Sequence, residues 1–204
     1  FFHNENIKQV YLHLFTDGRV SGQYLAHKDL SILKKFFHGN EKIATITGRY
    51  YAMDRNKYWD RTKQAYEAMV LGKGRAAVSA EDALRDSYAL GDTDEYISPT
   101  TILENNKPVA TIKDNDAVVF FNLRSDRARQ LAKSFTQTNF KRINDGAFSC
   151  VKFPKNICFV ALTDFGPDLP EVFTAFPSRD VVKSLPQALC PRKQLYAAES
   201  EKFA

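Results

Sequence analysis

The sequence predicts an α/β fold, a three-layer α/β/α arrangement with a mixed, largely buried sheet. Three observations lead there. Short apolar runs of strand length recur at Val10–Phe15, Ile43–Ile46, Ala117–Phe121 and Ile157–Leu162. Between them lie amphipathic stretches of helical period. Gly, Asn, Asp and Pro clusters separate the two kinds of segment.

In the first run, Val10, Leu12 and Leu14 alternate with Tyr11, His13 and Phe15, and both sets are largely apolar. That pattern suits a strand covered on both faces. His13 within it reads as a satisfied core or edge histidine rather than a ligand. The run ends at the turn Thr16-Asp17-Gly18-Arg19. Leu30, Leu33, Phe36 and Phe37 then recur at helical spacing, with Gly39-Asn40 as the stop. The second strand leads to Gly48-Arg49 and, through Asp54-Arg55, to a helix from Tyr58 to Leu71 with Trp59, Tyr66, Met69 and Val70 on one face.

Gly72-Lys73-Gly74 closes that helix and lacks the spacing of a phosphate-binding loop. Ser79 with Asp82 three residues on marks another helix start, and Ala83, Leu84 and Tyr88 line one face of it. Asp92 to Thr101 reads as a polar loop. Its acids lack calcium-loop spacing, so a solvated or arginine-paired turn is expected. After the third strand, Asn122 to Arg127 leads into a helix bearing Ala128, Leu131, Ala132 and Phe135. The fourth strand ends at Thr163-Asp164-Phe165. Gly166 to Pro191 is proline-rich and without period, and no structure is expected there. The expected strands are 7–15, 42–47, 116–123 and 156–162, all in one sheet.

The 204 residues suffice for one domain with a sizeable core. A hydrophobic share of 44% and a charged share of 26% fit a soluble protein. No apolar run approaches the ~18 residues of a membrane span, and no secretory signal is present. The three cysteines, Cys150, Cys158 and Cys190, read as reduced packing residues, hence a cytoplasmic setting. Phe1-Phe2 opens without a structural start signal, and Lys202-Phe203-Ala204 stops inside a motif. The chain is therefore expected to be a single domain, 1–204, of a longer enzyme, truncated at both ends.

The formal charge of +5 and a pI near 9.0 favour an anionic ligand. The basic residues fall at strand ends: Arg19 after the first, Arg49 and Arg55 after the second, Arg124 and Arg127 after the third. In an open α/β sheet such ends can meet at one crevice. Guanidiniums gathered there suit a ligand with several anionic oxygens, because each can fork onto a phosphate or carboxylate. The competing reading is surface ion pairing, of Arg49 and Arg55 with Asp54 and Asp60, and of Arg127 and Arg129 with Asp126. A nucleic-acid partner is not expected. The apolar runs account for most of the aromatic side chains, and no Lys/Arg-rich block appears. The histidines and acids show no metal-ligand spacing.

The segment Gly48 to Asn56, with Trp59-Asp60-Arg61 and Ala65-Tyr66, resembles a signature of the cofactor-independent (2,3-bisphosphoglycerate-independent) phosphoglycerate mutases. So do Asp17-Gly18-Arg19, Thr93 to Pro99, Phe121 to Arg129 and the terminal Glu199 to Ala204, in the family's order along nearly the whole chain. The resemblance implies an isomerase that interconverts 3-phosphoglycerate and 2-phosphoglycerate in glycolysis and gluconeogenesis. A metal-bearing phosphatase-like domain, with two manganese ions, takes the phosphoryl group onto a serine. A transferase domain holds the glycerate, and this chain matches that domain. Arg19, Arg49, Arg55, Arg124, Arg127 and Lys202 then correspond to the family's substrate-binding residues. No catalytic nucleophile and no metal ligand is expected in the fragment, which by itself should be inactive. A monomer without membrane or nucleic-acid partners is the expected state.

Two departures stand out. The resemblance puts an acidic, proton-exchanging residue straight after Asp-Gly-Arg, and this chain has Val20 there. The usual proline-rich turn is replaced by Ser21-Gly22-Gln23. Val20 keeps open a second possibility, a degenerate, non-catalytic phospho-ligand-binding or regulatory module.

Overall fold

A computed structural model of the protein describes residue 5 and residues 7–177. Lys202, Cys190 and all other positions from 178 onward lie outside the described residues, as do residues 1–4 and 6.

Strand β1 (Val10–Thr16) is followed by helix α1 (Ala26–Lys34), β2 (Glu41–Gly48), a one-turn helix α2 (Arg49–Ala52) and α3 (Trp59–Leu71). Next come β3 (Arg75–Ala77), α4 (Ala80–Ala89), a 3-10 turn at Asp94–Tyr96, β4 (Thr100–Glu104) and β5 (Lys107–Pro108). The second half holds β6 (Ala117–Phe120), α5 (Ser125–Thr136), α6 (Phe140–Ile143), β7 (Cys158–Ala161) and β8 (Phe173–Thr174). Helix signals are honoured locally. The Ser79 hydroxyl caps α4 by accepting from the Asp82 backbone N–H, and Gly72 ends α3 with a φ of +64°.

The α/β class and a mixed sheet are as expected, but the four predicted strands do not share one sheet. Strand β1 pairs in parallel with β2, which pairs antiparallel with β4, which in turn carries β3 in parallel and β5 at its end. Strands β6, β7 and β8 form a separate parallel sheet. An apolar run signals a strand but not which backbone edge it joins, and in β6 it overstates burial, since only Phe120 is buried while Val119 and Phe121 are exposed. The halves are joined instead by side chains. Phe15 of β1 meets Phe120 of β6 edge to face at 5.9 Å, inside one core cluster that also takes Tyr66 and Met69 of α3, Leu131 and Phe135 of α5, and Phe159 of β7.

Three local expectations are corrected. The loop predicted over Asp92 to Thr101 ends in β4, because Thr100, Thr101 and Ile102 are buried against β2 and β3. A short strand, β8, forms in the segment left without structure. Cys158, expected in the packing, is exposed.

His13 is half-buried and its Nδ1 lies 2.9 Å from the Thr45 hydroxyl. Burial disfavours its charged form and lowers its pKa to about 4. The unfolded chain binds this proton near pH 6.5 and the folded one only near 4. The contribution of the neutral imidazole is therefore complete above pH 6.5 and lost as pH falls toward 4. The loss amounts to about 2–3 kcal/mol. Urea unfolding at pH 7 and pH 4.5 should show the difference, and His13→Gln should remove most of it.

Candidate functional site

The site begins where β1 ends. Gly18 has a φ of +65°, and a Cβ there would sit 2.5 Å from the Glu95 backbone nitrogen. A side chain at Gly48, where β2 ends, would strike the Glu95 carbonyl. Both strand ends therefore lie flat on the 3-10 turn. That turn is anchored by Asp94, which sequence reading left as solvated or arginine-paired. Asp94 is buried. Its carboxylate accepts from the Ala26 N–H at 2.8 Å and from the Tyr88 hydroxyl, and its carbonyl accepts from the Thr16 hydroxyl at 2.6 Å.

Arg49, expected in a loop, opens α2 and is buried. Its Nη1 pairs with Asp17 rather than with Asp54 or Asp60. Asp17 also accepts from the backbone N–H groups of Val20 at 3.0 Å and Ser21 at 2.6 Å. Partial burial raises the Asp17 pKa, but the Ser21 N–H and the Arg49 guanidinium outweigh it and leave the carboxyl below its usual range.

Arg55 reaches the start of α5 and donates to Asp126 at 2.6 Å. Arg124 donates to the same carboxylate through Nε at 2.7 Å and Nη2 at 3.1 Å. The Arg124 fork holds the Asp126 pKa down to about 2, with Arg55 adding to it against a partial cost of burial. Arg127 donates from Nη1 to the Met53 carbonyl at 3.2 Å, and its Nε is buried without a hydrogen-bond partner. Burial lowers the Arg127 pKa first, and the charges of Arg55, Arg49 and Arg124 lower it further. Arg55 and Arg124 share Asp126, Arg127 reaches the Met53 carbonyl at the end of α2, and Arg49 opens that one-turn helix, so the four lie around the junction of α2 and α5. Four guanidiniums face two carboxylates, Asp17 and Asp126, an excess of two positive charges.

Arg19 stands apart: its side chain is 62% exposed and reaches Glu95 at 3.4 Å. The alternative of Arg127 and Arg129 pairing with Asp126 does not hold, since Arg129 pairs with Asp168 at 2.6 Å. Sequence reading missed the residues that register the arginines. Buried Asp54 accepts from the Asn56 and Tyr58 N–H groups at 3.1 and 2.9 Å. It also accepts from Gln130 of α5 at 2.9 Å. Gln130 in return accepts from the Lys57 N–H at 2.9 Å and donates to Thr62 at 2.6 Å. The turn carrying Arg55 is thereby fixed to the helix carrying Arg127. Gln130 lies on the side of α5 opposite Ala128, Leu131 and Phe135, so the helical period of the apolar residues carried no signal for it.

Fold and site together define an α/β domain that concentrates guanidiniums, in excess of their carboxylate partners, at the ends of strands from two sheets. The family model described as BPG-independent PGAM N-terminus (iPGM_N) matches residues 1–167, and the chain belongs to that family. The 2,3-bisphosphoglycerate-independent phosphoglycerate mutase of Clostridium kluyveri is 43% identical over 201 residues, covering 96% of this chain and 38% of the relative. The 2,3-bisphosphoglycerate-independent phosphoglycerate mutase 1 of Methanosarcina acetivorans is 45% identical over 206 residues, covering 98% and 39%. The chain thus spans about two fifths of the curated relatives it matches. A crystal structure of Leishmania mexicana phosphoglycerate mutase at low cobalt concentration superposes with a TM-score of 0.76 at 24% identity. The likeness covers 92% of this chain and 35% of that one, and shows the shared fold.

Among the described residues no group of three or more His, Cys, Asp or Glu could hold a metal ion. The described residues thus offer no set that would hold the metal ions implied by the resemblance, and no step here runs through them. No helix among the described residues is long and apolar enough to cross a membrane.

Proposed function

We propose that this chain is the substrate-binding, transferase part of a phosphoglycerate mutase that interconverts 3-phosphoglycerate and 2-phosphoglycerate. The observation that carries it is the guanidinium cluster with an excess of two positive charges and a buried, unpartnered Nε on Arg127. A phosphate and a carboxylate on one small ligand supply the missing countercharge. In this reading Arg49, Arg55, Arg124 and Arg127 hold the ligand. Arg19 closes on it from the rim, and Lys202 completes the set. Their work is positioning and charge stabilisation. The nucleophile and two manganese ions would lie in the part of the longer protein that this chain does not include. The protein is a cytoplasmic monomer in this proposal.

Among the described residues, Cys150 is a poor candidate for a nucleophile. Cys150 has its thiol pKa pushed up by burial, so a thiolate is disfavoured. Titration of the chain with 3-phosphoglycerate, 2-phosphoglycerate and glycerate tests the reading. The two phosphate esters should bind, glycerate should bind far more weakly, and added salt should weaken all three. A coupled assay on the chain alone should show no mutase turnover with divalent metal. Absence of phosphoglycerate binding would overturn the site, and metal-dependent turnover would overturn the division of labour.

A further inference from the structure

Asp126 lies in the first turn of α5, yet it serves two arginines delivered by different halves of the protein. Arg55 arrives from the segment after β2 and α2, and Arg124 from the exit of β6. Their contacts to Asp126 use Nη1 of Arg55 and Nε and Nη2 of Arg124. Nη2 of Arg55 and Nη1 of Arg124 have no hydrogen-bond partner among the described residues. The carboxylate thus takes one side of each fork and leaves the other side open.

We propose that Asp126 is a positioning residue of the anion site, the fixed carboxylate that holds Arg55 and Arg124 at one separation so that a ligand with two anionic ends is met at both. This deepens the phosphoglycerate reading and rests on it. Two long cationic side chains left to themselves repel one another and sample many rotamers. A shared carboxylate removes both problems before the ligand arrives, which is preorganisation. Its low pKa, about 2, keeps Asp126 ionised at neutral pH.

Charge counting and positioning give opposite signs for the loss of this carboxylate. Losing it makes the cluster more positive, which tightens the binding of any small anion. Losing it also frees the arginines, which weakens a ligand that needs both at a set distance. Inorganic phosphate needs only one end of the site, whereas 3-phosphoglycerate needs two.

The experiment compares wild type, Asp126→Asn and Asp126→Glu in the full-length protein, by calorimetric titration with inorganic phosphate and with 3-phosphoglycerate. Asp126→Asn should bind inorganic phosphate as tightly as wild type or more tightly, yet bind 3-phosphoglycerate at least tenfold more weakly. Asp126→Glu should recover part of that loss. If Asp126→Asn does not fold, Asp126→Ser, which keeps a helix-start side chain, carries the same comparison. Tighter or unchanged binding of both anions in the variant would overturn the inference and leave Asp126 a plain countercharge. Parallel weakening of both would also overturn it, since general loss of structure does not separate the two ligands. A wild-type protein that binds inorganic phosphate but not 3-phosphoglycerate would overturn the phosphoglycerate reading itself, and this inference with it.

Discussion

Arg127→Ala should weaken 3-phosphoglycerate binding by about 1.5–3 kcal/mol, the range of a charge-assisted contact, while costing the unliganded protein little stability. Arg127 is half-buried, crowded by three other guanidiniums, and makes one hydrogen bond, to the Met53 carbonyl. Its Nε is desolvated without return. An uncompensated buried charge of this kind opposes folding until an anion arrives. Arg49→Ala provides the contrast. It should weaken the ligand to a similar degree and also lower the unfolding temperature, because Asp17 then loses the partner that burial requires it to have. Titration and thermal unfolding of the two variants, with and without ligand, separate these effects. Wild-type affinity in Arg127→Ala would remove it from the site, and a large loss of stability in the unliganded variant would show that the cluster is already compensated.

In the full-length protein, Val20→Asp should raise mutase turnover by about 10²–10⁴-fold, the usual worth of a placed proton acceptor. Val20 is 84% exposed, and its backbone N–H rests on Asp17 in the turn that also carries Arg19. Resemblance to the mutases puts an acid at this place, and valine cannot exchange a proton. Asp17 is poorly suited to replace it, since its carboxylate already serves Arg49 and the N–H groups of Val20 and Ser21. The readout is kcat against pH in a coupled assay. A rise in kcat with a new acidic limb supports the role of the position. A full-length protein that is active and indifferent to Val20→Asp would show that another group carries the proton. A full-length protein that binds phosphoglycerate but turns over in neither form would favour the non-catalytic, regulatory reading.

The sequence by itself settled what local periodicity encodes. The apolar runs became β1, β2, β6 and β7, and the helical patterns became α1, α3, α4 and α5, because burial on one face leaves a mark within a few residues, although α1 stops at Lys34 and leaves Phe36 outside it and exposed. It also put arginines at the ends of three strands, and four of them meet. What it did not encode is pairing across distance. Two strands of equal apolarity carry no label for their neighbour, so β1 with β2 and β6 with β7 fell into separate sheets and met through Phe15 and Phe120. The arginines likewise took partners from far along the chain. Arg55 and Asp126 are 71 positions apart, and Arg49 and Asp17 are 32 apart, whereas the nearby acids Asp54 and Asp60 were the natural guess. Asp54 was already spent on capping its own turn and on Gln130, and Asp94 was withdrawn into the interior to anchor the turn beneath Gly18 and Gly48. Ion pairs and buried polar bonds are fixed by which groups the packed backbone brings within about 3 Å, and only the tertiary structure holds that information.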